Sequence, residues 1–402
     1  MIPQGWTEKT LDEVCSFSRG LTYSKNDEVE FSDNVILRAN NIDLVSNSLN
    51  FDELKYITST FAIPEDKKVK ENSIMICISS GSKSHLGKVA FIDRDYGYAF
   101  GGFMGLMTPK ENINPKYLYY MLITPSFKDL ILHLTDGANI NNLKYNDLKN
   151  FKLNIPPLPE QERIVAKLDK AFEAIDKVKA NAEQNLNNAK ELYKVVLNKV
   201  FNSNKYQFEH IKLDDLCEII TDGTHQTPTY ADKGVIFLSA KNVTSEVIDW
   251  ENIKYIPDSL HNELKKRVSP QKGDILLAKN GTTGVAAIVD RDCVFDIYVS
   301  LCMLRPKKTV NVQYLLLAIN NPITKDKFNK SLIGIGVPNL HLNKIRETTV
   351  PIPSPKFQDE ISSLLNGLKA EYLKLEQIYT QKIKECDELK QSILQKAFRG
   401  EL

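Results

Sequence analysis

The chain has 402 residues, 42% of them apolar, and a formal net charge of +1, which allows two or three domains with sizeable cores and argues mildly against a protein that grips nucleic acid unaided. It has no run of about 18 or more apolar residues and no basic-then-apolar leader, so we predict neither a membrane span nor a secretory signal and expect a cytoplasmic protein. The six cysteines form no C-x-x-C pair, which argues against a disulfide framework or a zinc site.

Residues 1–155, called head 1 here, have the pattern of a mixed α/β globular domain. Short apolar runs bounded by Gly, Asn and Ser predict strands, the clearest being Val35–Leu37, Ser73–Ile78 and Val89–Ile92. We predict a short helix from Pro115 to Thr124. Polar loops alternate with these elements at Ser18–Lys25, Arg38–Asn41 and Ser79–His85.

Residues 156–203 are predicted to form a long central helix. The segment Pro156-Pro157-Leu158-Pro159 suits a helix start, and Glu160 and Glu162 suit the positive end of its dipole. Apolar residues then recur at alternating spacings of four and three, as in a heptad seam about five heptads long. A helix from about Glu160 to Phe201 would span roughly 60 Å at about 1.5 Å per residue.

The rest of the chain repeats the same plan. Gly137–Leu143 matches Gly334–Leu340, and Val196–Phe201 matches Ile393–Phe398, both at a separation of 197 residues. We therefore predict a second globular domain at 204–352, called head 2 here, and a C-terminal long helix at 353–402. Head 2 has matching strands and a short helix from Val312 to Ile319. The chain is thus expected to be two copies of one unit.

The two long helices are expected to pack on each other in antiparallel fashion, because a lone helix would leave its apolar seam in water. The alternative is an amphipathic helix against a globular core. Two polar seam positions, Asn185 and Lys382, lie 197 residues apart and are expected to fix the register. The predicted pairing residues are Ile164, Leu168, Ile175, Val178, Asn185, Leu192 and Val196 in the first helix, and Ile361, Leu365, Leu368, Leu375, Lys382, Leu389 and Ile393 in the second.

The polar loops of the two heads occupy matching places but carry different side chains. They contain the groups that read base edges, since Arg and Lys pair with guanine, Asn and Gln with adenine, and Ser and Thr with either. For any single loop, an ordinary solvated turn explains the composition equally well. The candidate DNA contacts are Arg19, Tyr23, Ser24, Arg38, Asn40, Ser80, Lys83 and His85 in head 1, and Thr224, His225, Gln226, Thr227, Lys241, Lys279, Asn280 and Thr282 in head 2.

With these features the chain resembles the specificity subunits of Type I restriction-modification systems. The tandem repeat, the junction Ile155–Ile164 and the ending Leu394–Leu402 carry the resemblance, and Asp222–Pro228 resembles a common opening of that family's target recognition domain. The second junction, Ile352–Gln358, departs from the pattern and leaves the start of the second long helix open.

The resemblance implies an α+β fold in which two similar target recognition domains are separated by an antiparallel coiled coil, with pseudo-twofold symmetry. It implies that each domain reads one half of a bipartite, asymmetric DNA site, and that the helices set the gap and dock two modification (methyltransferase) subunits. Restriction subunits would complete an ATP-dependent nuclease. S-adenosylmethionine, ATP and Mg are then expected on the partner subunits, and no cofactor on this chain.

No motif indicates a catalytic centre. Asn154–Leu158 fails the Asn/Asp-Pro-Pro-aromatic pattern of a DNA methyltransferase, Gly334–Asn339 lacks the third glycine of a dinucleotide fingerprint, and the histidines form no H-E-x-x-H. We therefore predict a non-catalytic DNA-binding subunit. One rival is a coiled-coil scaffold that joins protein partners without sequence-specific DNA binding. The other is a self-contained restriction-modification enzyme, which would need methyltransferase motifs.

Overall fold

The computed structural model describes residues 3–135, 142–332 and 339–402. It divides into two compact units, Met1–Glu183 with Thr380–Leu402 and Gln184–Tyr379. Most of the repeated segments Gly137–Leu143 and Gly334–Leu340, and with them the glycine pattern Gly334–Asn339, lies outside the described residues.

The first unit contains head 1 and parts of both long helices. Its elements are β1 (Thr7–Thr10), α1 (Leu11–Val14), β2 (Cys15–Arg19), β3 (Glu28–Val29), β4 (Asn34–Leu37), β5 (Lys55–Ile57), β6 (Ser73–Cys77), β7 (Val89–Ile92), β8 (Ala99–Phe100), β9 (Met104–Pro109), α2 (Pro115–Leu122), α3 (Pro125–Thr135), α4 (Tyr145–Leu148), β10 (Lys152–Ile155) and the start of α5 (Leu158–Phe201). The strands form one sheet of order β2-β9-β6-β7, a second of order β3-β5-β4-β8, and the pair β1-β10.

Strand β6 lies between two hydrophobic clusters, one on each face of the sheet β2-β9-β6-β7. All five of its residues are buried, and the alternation of a strand sends successive side chains to opposite faces. Ile74 and Ile76 pack in a cluster with α2 and α3, whereas Met75 and Cys77 pack in a second cluster with the strands of the other sheet. Such a strand has no polar face, as expected for a sheet covered on both sides.

The second unit repeats this plan around head 2. Its elements are the end of α5, β11 (Glu209–Lys212), α6 (Leu213–Leu216), β12 (Cys217–Asp222), β13 (Val235–Leu238), β14 (Lys254–Ile256), α7 (Asp258–Leu264), β15 (Ile275–Ala278), β16 (Ala286–Ile288), β17 (Phe295–Ile297), β18 (Leu301–Pro306), α8 (Val312–Asn320), α9 (Pro322–Lys330), α10 (Leu342–Glu347), β19 (Thr349–Ile352) and the start of α11 (Pro355–Phe398). The sheets have the orders β12-β18-β15-β16, β14-β13-β17 and β11-β19.

The two long helices pack together within each unit, and the prediction of antiparallel packing is confirmed. In the first unit Lys179 pairs with Asp387 at 2.7 Å and Asp176 pairs with Lys390 at 2.5 Å, so positions that rise along α5 meet positions that fall along α11. In the second unit the rings of Tyr193 and Tyr372 stack with centroids 5.5 Å apart. The α+β repeat expected from the sequence is therefore present.

The buried face of the helices differs from the predicted seam at six positions. Ile164, Leu168, Ile175, Ile361 and Leu365 are buried, and Val196, Leu368 and Ile393 are half-buried. In contrast, the structure exposes six predicted positions towards the middle of the helices: Val178, Asn185 and Leu192 in α5, and Leu375, Lys382 and Leu389 in α11. These positions correct the predicted seam, and the exposed Asn185 and Lys382 do not fix a register inside it.

At each of these six places the next residue along the helix is the one that packs. The half-buried positions are Lys179, Leu186 and Tyr193 in α5, and Glu376, Ile383 and Lys390 in α11. Leu186 and Ile383 are apolar themselves, and they take the place that strict heptad spacing gave to their polar neighbours. The shift of one residue thus affects every second position of the seam, because the intervening positions Ala182 and Cys386 are buried.

Lysine explains two of the shifted positions. A lysine can cover apolar surface with its methylene stem while its ammonium reaches a carboxylate at the edge. Lys179 and Lys390 do so towards the two aspartates that hold the helices together in the first unit. A pattern that counts only apolar residues assigns these places to the apolar neighbours Val178 and Leu389.

The predicted short helices correspond to α2 and α8. The second long helix, whose start the sequence left open, begins at Pro355. No sequence pattern indicated α3 or α9. None of the described helices is long and apolar enough to cross a membrane.

Candidate nucleic-acid interface

The polar loops of head 1 meet because of the strand order. Strands β2 and β6 both pair antiparallel with β9, so they run parallel to each other and end at the same edge of the sheet. Arg19 is the last residue of β2, and the loop 79–85 follows β6. The third loop, at 38–41, follows β4 of the neighbouring sheet.

These loops line an open cleft with a volume of about 990 Å³. Six of the predicted contacts contribute to it: Arg19, Tyr23, Arg38, Asn40, Ser80 and His85. Arg19, Lys25 and Arg38 bring positive charge, and the carboxylate of Glu28 is paired with Lys55. The cleft thus combines cationic, amide and hydroxyl groups, which is the chemistry that reads base edges.

Arg38 is the most notable group in this cleft. Its Nε atom is buried, and no hydrogen-bond partner for it occurs among the residues that the structure describes. Its backbone N–H donates to Oδ1 of the buried Asn41 at 2.8 Å, which holds the turn from which the side chain projects. A buried donor without a partner is costly, so head 1 by itself does not satisfy this guanidinium.

The environments of Tyr23 and His85 set their hydrogen-bonding states. Burial, and then the charge of Glu28, raise the pKa of the Tyr23 phenol, which stays a donor at neutral pH. Burial, and then the charge of Lys88, lower the pKa of His85. The imidazole is therefore neutral at pH 7 and offers one donor and one acceptor.

The other two predicted residues of head 1 do not line the cleft. The backbone N–H and the hydroxyl of Ser24 both donate to Asp27, at 2.7 and 2.8 Å, in a local turn. The ammonium of Lys83 donates to the carbonyl of Thr135 at 3.2 Å. Phe103, which sequence reasoning missed, lines the cleft with 69% of its surface exposed. A lone phenylalanine after two glycines gives no binding signal until the fold places it there.

Head 2 has a buried ionic centre at the equivalent edge of its sheet. The carboxylate of Asp222, at the end of β12, accepts from Lys279 Nζ at 2.7 Å, from an Arg267 Nη2 donor at 2.8 Å, and lies 3.2 Å from His225 Nε2. Burial pushes the pKa of Asp222 upward, but Lys279 and then His225 outweigh it, and the net shift is downward. The carboxylate is therefore charged at neutral pH.

Lys279 corrects one predicted DNA contact. The residue is 3% exposed and its ammonium is committed to Asp222, so it has no free charge to offer a phosphate or a base. Its backbone explains the error: Lys279 accepts from Leu340 and donates to Ser300, as Ile78 accepts from Leu143 and donates to Phe103. Lys279 thus occupies the core position of Ile78, one residue nearer the strand than the loop to which the sequence match assigned it.

The remaining predicted residues of head 2 lie on the surface loops. His225, Gln226, Thr227, Lys241 and Thr282 are exposed, and Thr224 and Asn280 are half-buried. The Thr224 hydroxyl accepts from the Gln226 N–H at 3.3 Å, and the Thr282 hydroxyl donates to the carbonyl of Val243 at 3.3 Å. The loop 224–227 follows β12, and Asn280 and Thr282 follow β15, so these residues lie at the same sheet edge as Asp222. Lys241 follows β13 of the neighbouring sheet.

Sequence reasoning missed Arg267, because the arginine lies 45 residues from the carboxylate that holds it. The recess beside it is lined by Gly223, Thr224, Leu264 and Val268, among others. No group of three or more His, Cys, Asp or Glu side chains in the described part of the chain is arranged to hold a metal ion.

A family model for the Type I restriction modification DNA specificity domain matches the chain twice, at residues 3–188 and 206–385. The chain is 26% identical to the EcoKI specificity subunit of Escherichia coli K12 over 422 residues, which covers 100% of this chain and 90% of that protein. It is 32% identical to the StySPI specificity subunit of Salmonella potsdam over 186 residues, covering 46% of this chain and 40% of the relative.

Two solved structures share the fold. A chain from a structural study of complex assembly and conformational transition in the type I R-M system superposes with a TM-score of 0.78 at 19% identity, covering 100% of both chains. The HsdS subunit from Thermoanaerobacter tengcongensis gives a TM-score of 0.57 at 19% identity, covering 100% of this chain and 98% of that one. At these identities the likeness concerns the fold alone.

Proposed function

Because the chain belongs to the family of Type I restriction-modification DNA specificity proteins, we propose that it is the sequence-reading subunit of such a system. Head 1 and head 2 each read one word of a bipartite, asymmetric DNA target. The observation that supports this most directly is the cleft of head 1, where loops from two neighbouring sheets bring Arg19, Arg38 and Asn40 together. Contacts from such groups specify bases, whereas contacts to phosphates only position the protein.

The subunit carries no catalytic centre of its own in this proposal. Two modification subunits supply S-adenosylmethionine and transfer the methyl group, and restriction subunits supply the ATP- and Mg-dependent nuclease. The net charge of +1 supports a division of labour in which partners neutralise most phosphates. The whole assembly works on DNA in the cytoplasm.

The long helices set the gap between the two words and dock the modification subunits. Each helix has 44 residues, and a continuous helix is a spacer of fixed length. Leu192, Leu375 and Leu389 are 58%, 37% and 50% exposed. Apolar side chains that are left in water on a helix surface support a docking role for that surface.

The test is to co-express the chain with its modification subunit in a host that lacks adenine methylation and to sequence the methylated genome. We expect one bipartite motif that disappears when the chain is omitted. A scaffold without DNA specificity leaves no motif that depends on the chain. A self-contained enzyme produces the motif even without the modification subunit. Either result contradicts the proposal.

A further inference from the structure

Arg267 of head 2 is held in a way that leaves most of its donors free. One Nη2 donor binds Oδ1 of Asp222 at 2.8 Å, and the Asp222 side chain is 3% exposed whereas that of Arg267 is 53% exposed. A guanidinium has five N–H donors in a planar fork. The bond to Asp222 anchors one end of the fork, and in the described part of the chain no acceptor binds its other donors.

The carboxylate that holds Arg267 is itself fixed. Its second oxygen accepts from Lys279, whose side chain is 4% exposed, at 2.7 Å. The ammonium of Lys279 and the carboxylate of Asp222 neutralise each other. The positive charge of Arg267 is therefore the excess charge at the rim of the site. His225 lies against the same carboxylate with 62% of its side chain exposed.

The strand order places Arg267 among the loops of head 2. Strands β12 and β15 both pair antiparallel with β18, so Asp222 at the end of β12 and Lys279 after β15 lie at the same sheet edge. Arg267 follows α7, and its backbone N–H donates to the carbonyl of Leu264 at 3.0 Å. Together with Thr224 it lines a recess of about 50 Å³.

We propose that Arg267 reads a guanine in the DNA word recognised by head 2 and that Asp222 is its positioning residue. The inference rests on the proposed DNA-reading function. Two parallel N–H donors of an arginine match O6 and N7 of guanine, which no other base pair presents in the major groove. An arginine already held by a carboxylate loses less rotamer freedom on binding than a free one. In head 1, Arg19 and Ile78 stand where head 2 has Asp222 and Lys279, so this device belongs to one head.

The test compares methylated motifs after co-expression with the modification subunit. Arg267→Lys keeps the charge but removes the fork, and Arg267→Gln removes both. We expect both variants to lose at least about tenfold in preference at one G·C pair of one word, while the other word and the gap stay unchanged. Arg291→Lys is the matched control. Arg291 follows β16, whose antiparallel pairing with β15 places this arginine at the opposite edge of the sheet.

The positioning role of Asp222 has its own variant. Asp222→Leu removes the acceptor of Arg267, but alone it leaves Lys279 as a buried, unpaired charge that destabilises the fold, so the double change Asp222→Leu with Lys279→Met is used. We expect it to relax the same G·C pair as Arg267→Lys. Unchanged stringency in this double variant contradicts the positioning role.

The outcomes separate the two claims. A wild-type complex that leaves no motif overturns the proposed function, and this assignment with it. A wild-type motif that Arg267→Lys and Arg267→Gln leave unchanged overturns the role of Arg267 alone, and so does an equal loss in the Arg291→Lys control.

Discussion

Gln161 and Gln358 lie in the first turns of α5 and α11 and are 1% and 4% exposed. Gln161 accepts from the N–H of Asn114 at 2.8 Å and donates to the carbonyls of Pro156 and Asn112 at 2.9 and 3.0 Å. Gln358 accepts from the N–H of Asn311 and donates to the carbonyl of Pro353, both at 3.1 Å. Each glutamine therefore ties the start of a long helix to the loop before α2 or α8.

Replacement of this glutamine is predicted to destabilise the chain. Gln161→Leu leaves the buried carbonyl of Pro156 and the part-buried N–H of Asn114 and carbonyl of Asn112 without this partner. A buried group left unsatisfied costs about 1–3 kcal/mol. The free energy of unfolding of the first unit, measured by native-state hydrogen exchange, is expected to fall by that amount. The control is Gln395→Leu at an exposed position of α11 in the same unit, which should change it by less than about 0.5 kcal/mol. Equal effects of the two changes would show that the buried contacts do not matter.

At the scale of single residues, the sequence indicated which positions matter but rarely which groups those residues contact. Gln161 and Gln358 lie 197 residues apart, which is the separation of the repeat, yet only the folded chain shows which backbone groups they bind. Six of the eight proposed contacts of head 1 line one cleft, because the loops that follow β2 and β6 share a sheet edge and the loop after β4 of the neighbouring sheet meets them. The sequence match assigned Lys279 to a loop, one residue away from its true position in the core. Arg267 is held by a carboxylate 45 residues away, and no local sequence pattern shows such a contact.

The long helices show how a heptad pattern finds an element but not its whole buried face. Spacings of four and three predicted the two helices and their antiparallel packing, both of which the structure has. They failed at Leu375 and Leu389 because Glu376 and Lys390 take the half-buried places. The amphipathic character of a lysine stem is absent from a count of apolar letters.

The buried face seen in the structure and the seam predicted from the sequence give opposite predictions for two leucines of α11. Leu394 is fully buried in the core of the first unit, although it was not in the predicted seam, whereas Leu389 was predicted there and is 50% exposed. Leu394→Ala is expected to lower the free energy of unfolding by about 2–5 kcal/mol, and Leu389→Ala by less than about 0.5 kcal/mol. Chemical denaturation of both variants beside the wild-type chain measures this. A larger loss of unfolding free energy for Leu389→Ala than for Leu394→Ala would contradict this buried face and support the predicted seam.

At the scale of the whole molecule, the main feature is that one unit occurs twice with different loops. Tyr117 and Tyr314 are both buried, and their hydroxyls donate to the carbonyls of Asn154 and Pro351 at 2.8 and 2.6 Å, so the two units keep one internal frame. The cleft-lining residues differ: Arg38 in head 1 has a buried Nε atom with no described partner, and head 2 has an ion-paired centre on Asp222. A shared frame with different loops is what two different DNA words require. The sequence alone predicted the duplication, but the words themselves depend on side-chain poses that no sequence pattern supplies.

The most direct measurement exchanges residues 1–155 for the corresponding head of a relative that reads a different word, and then determines the methylated motif with the modification subunit present. We expect one word of the bipartite motif to become the donor's, while the second word and the gap between them stay as in the wild-type chain. If both words change together, or if neither changes, the claim that the two heads read DNA independently is contradicted.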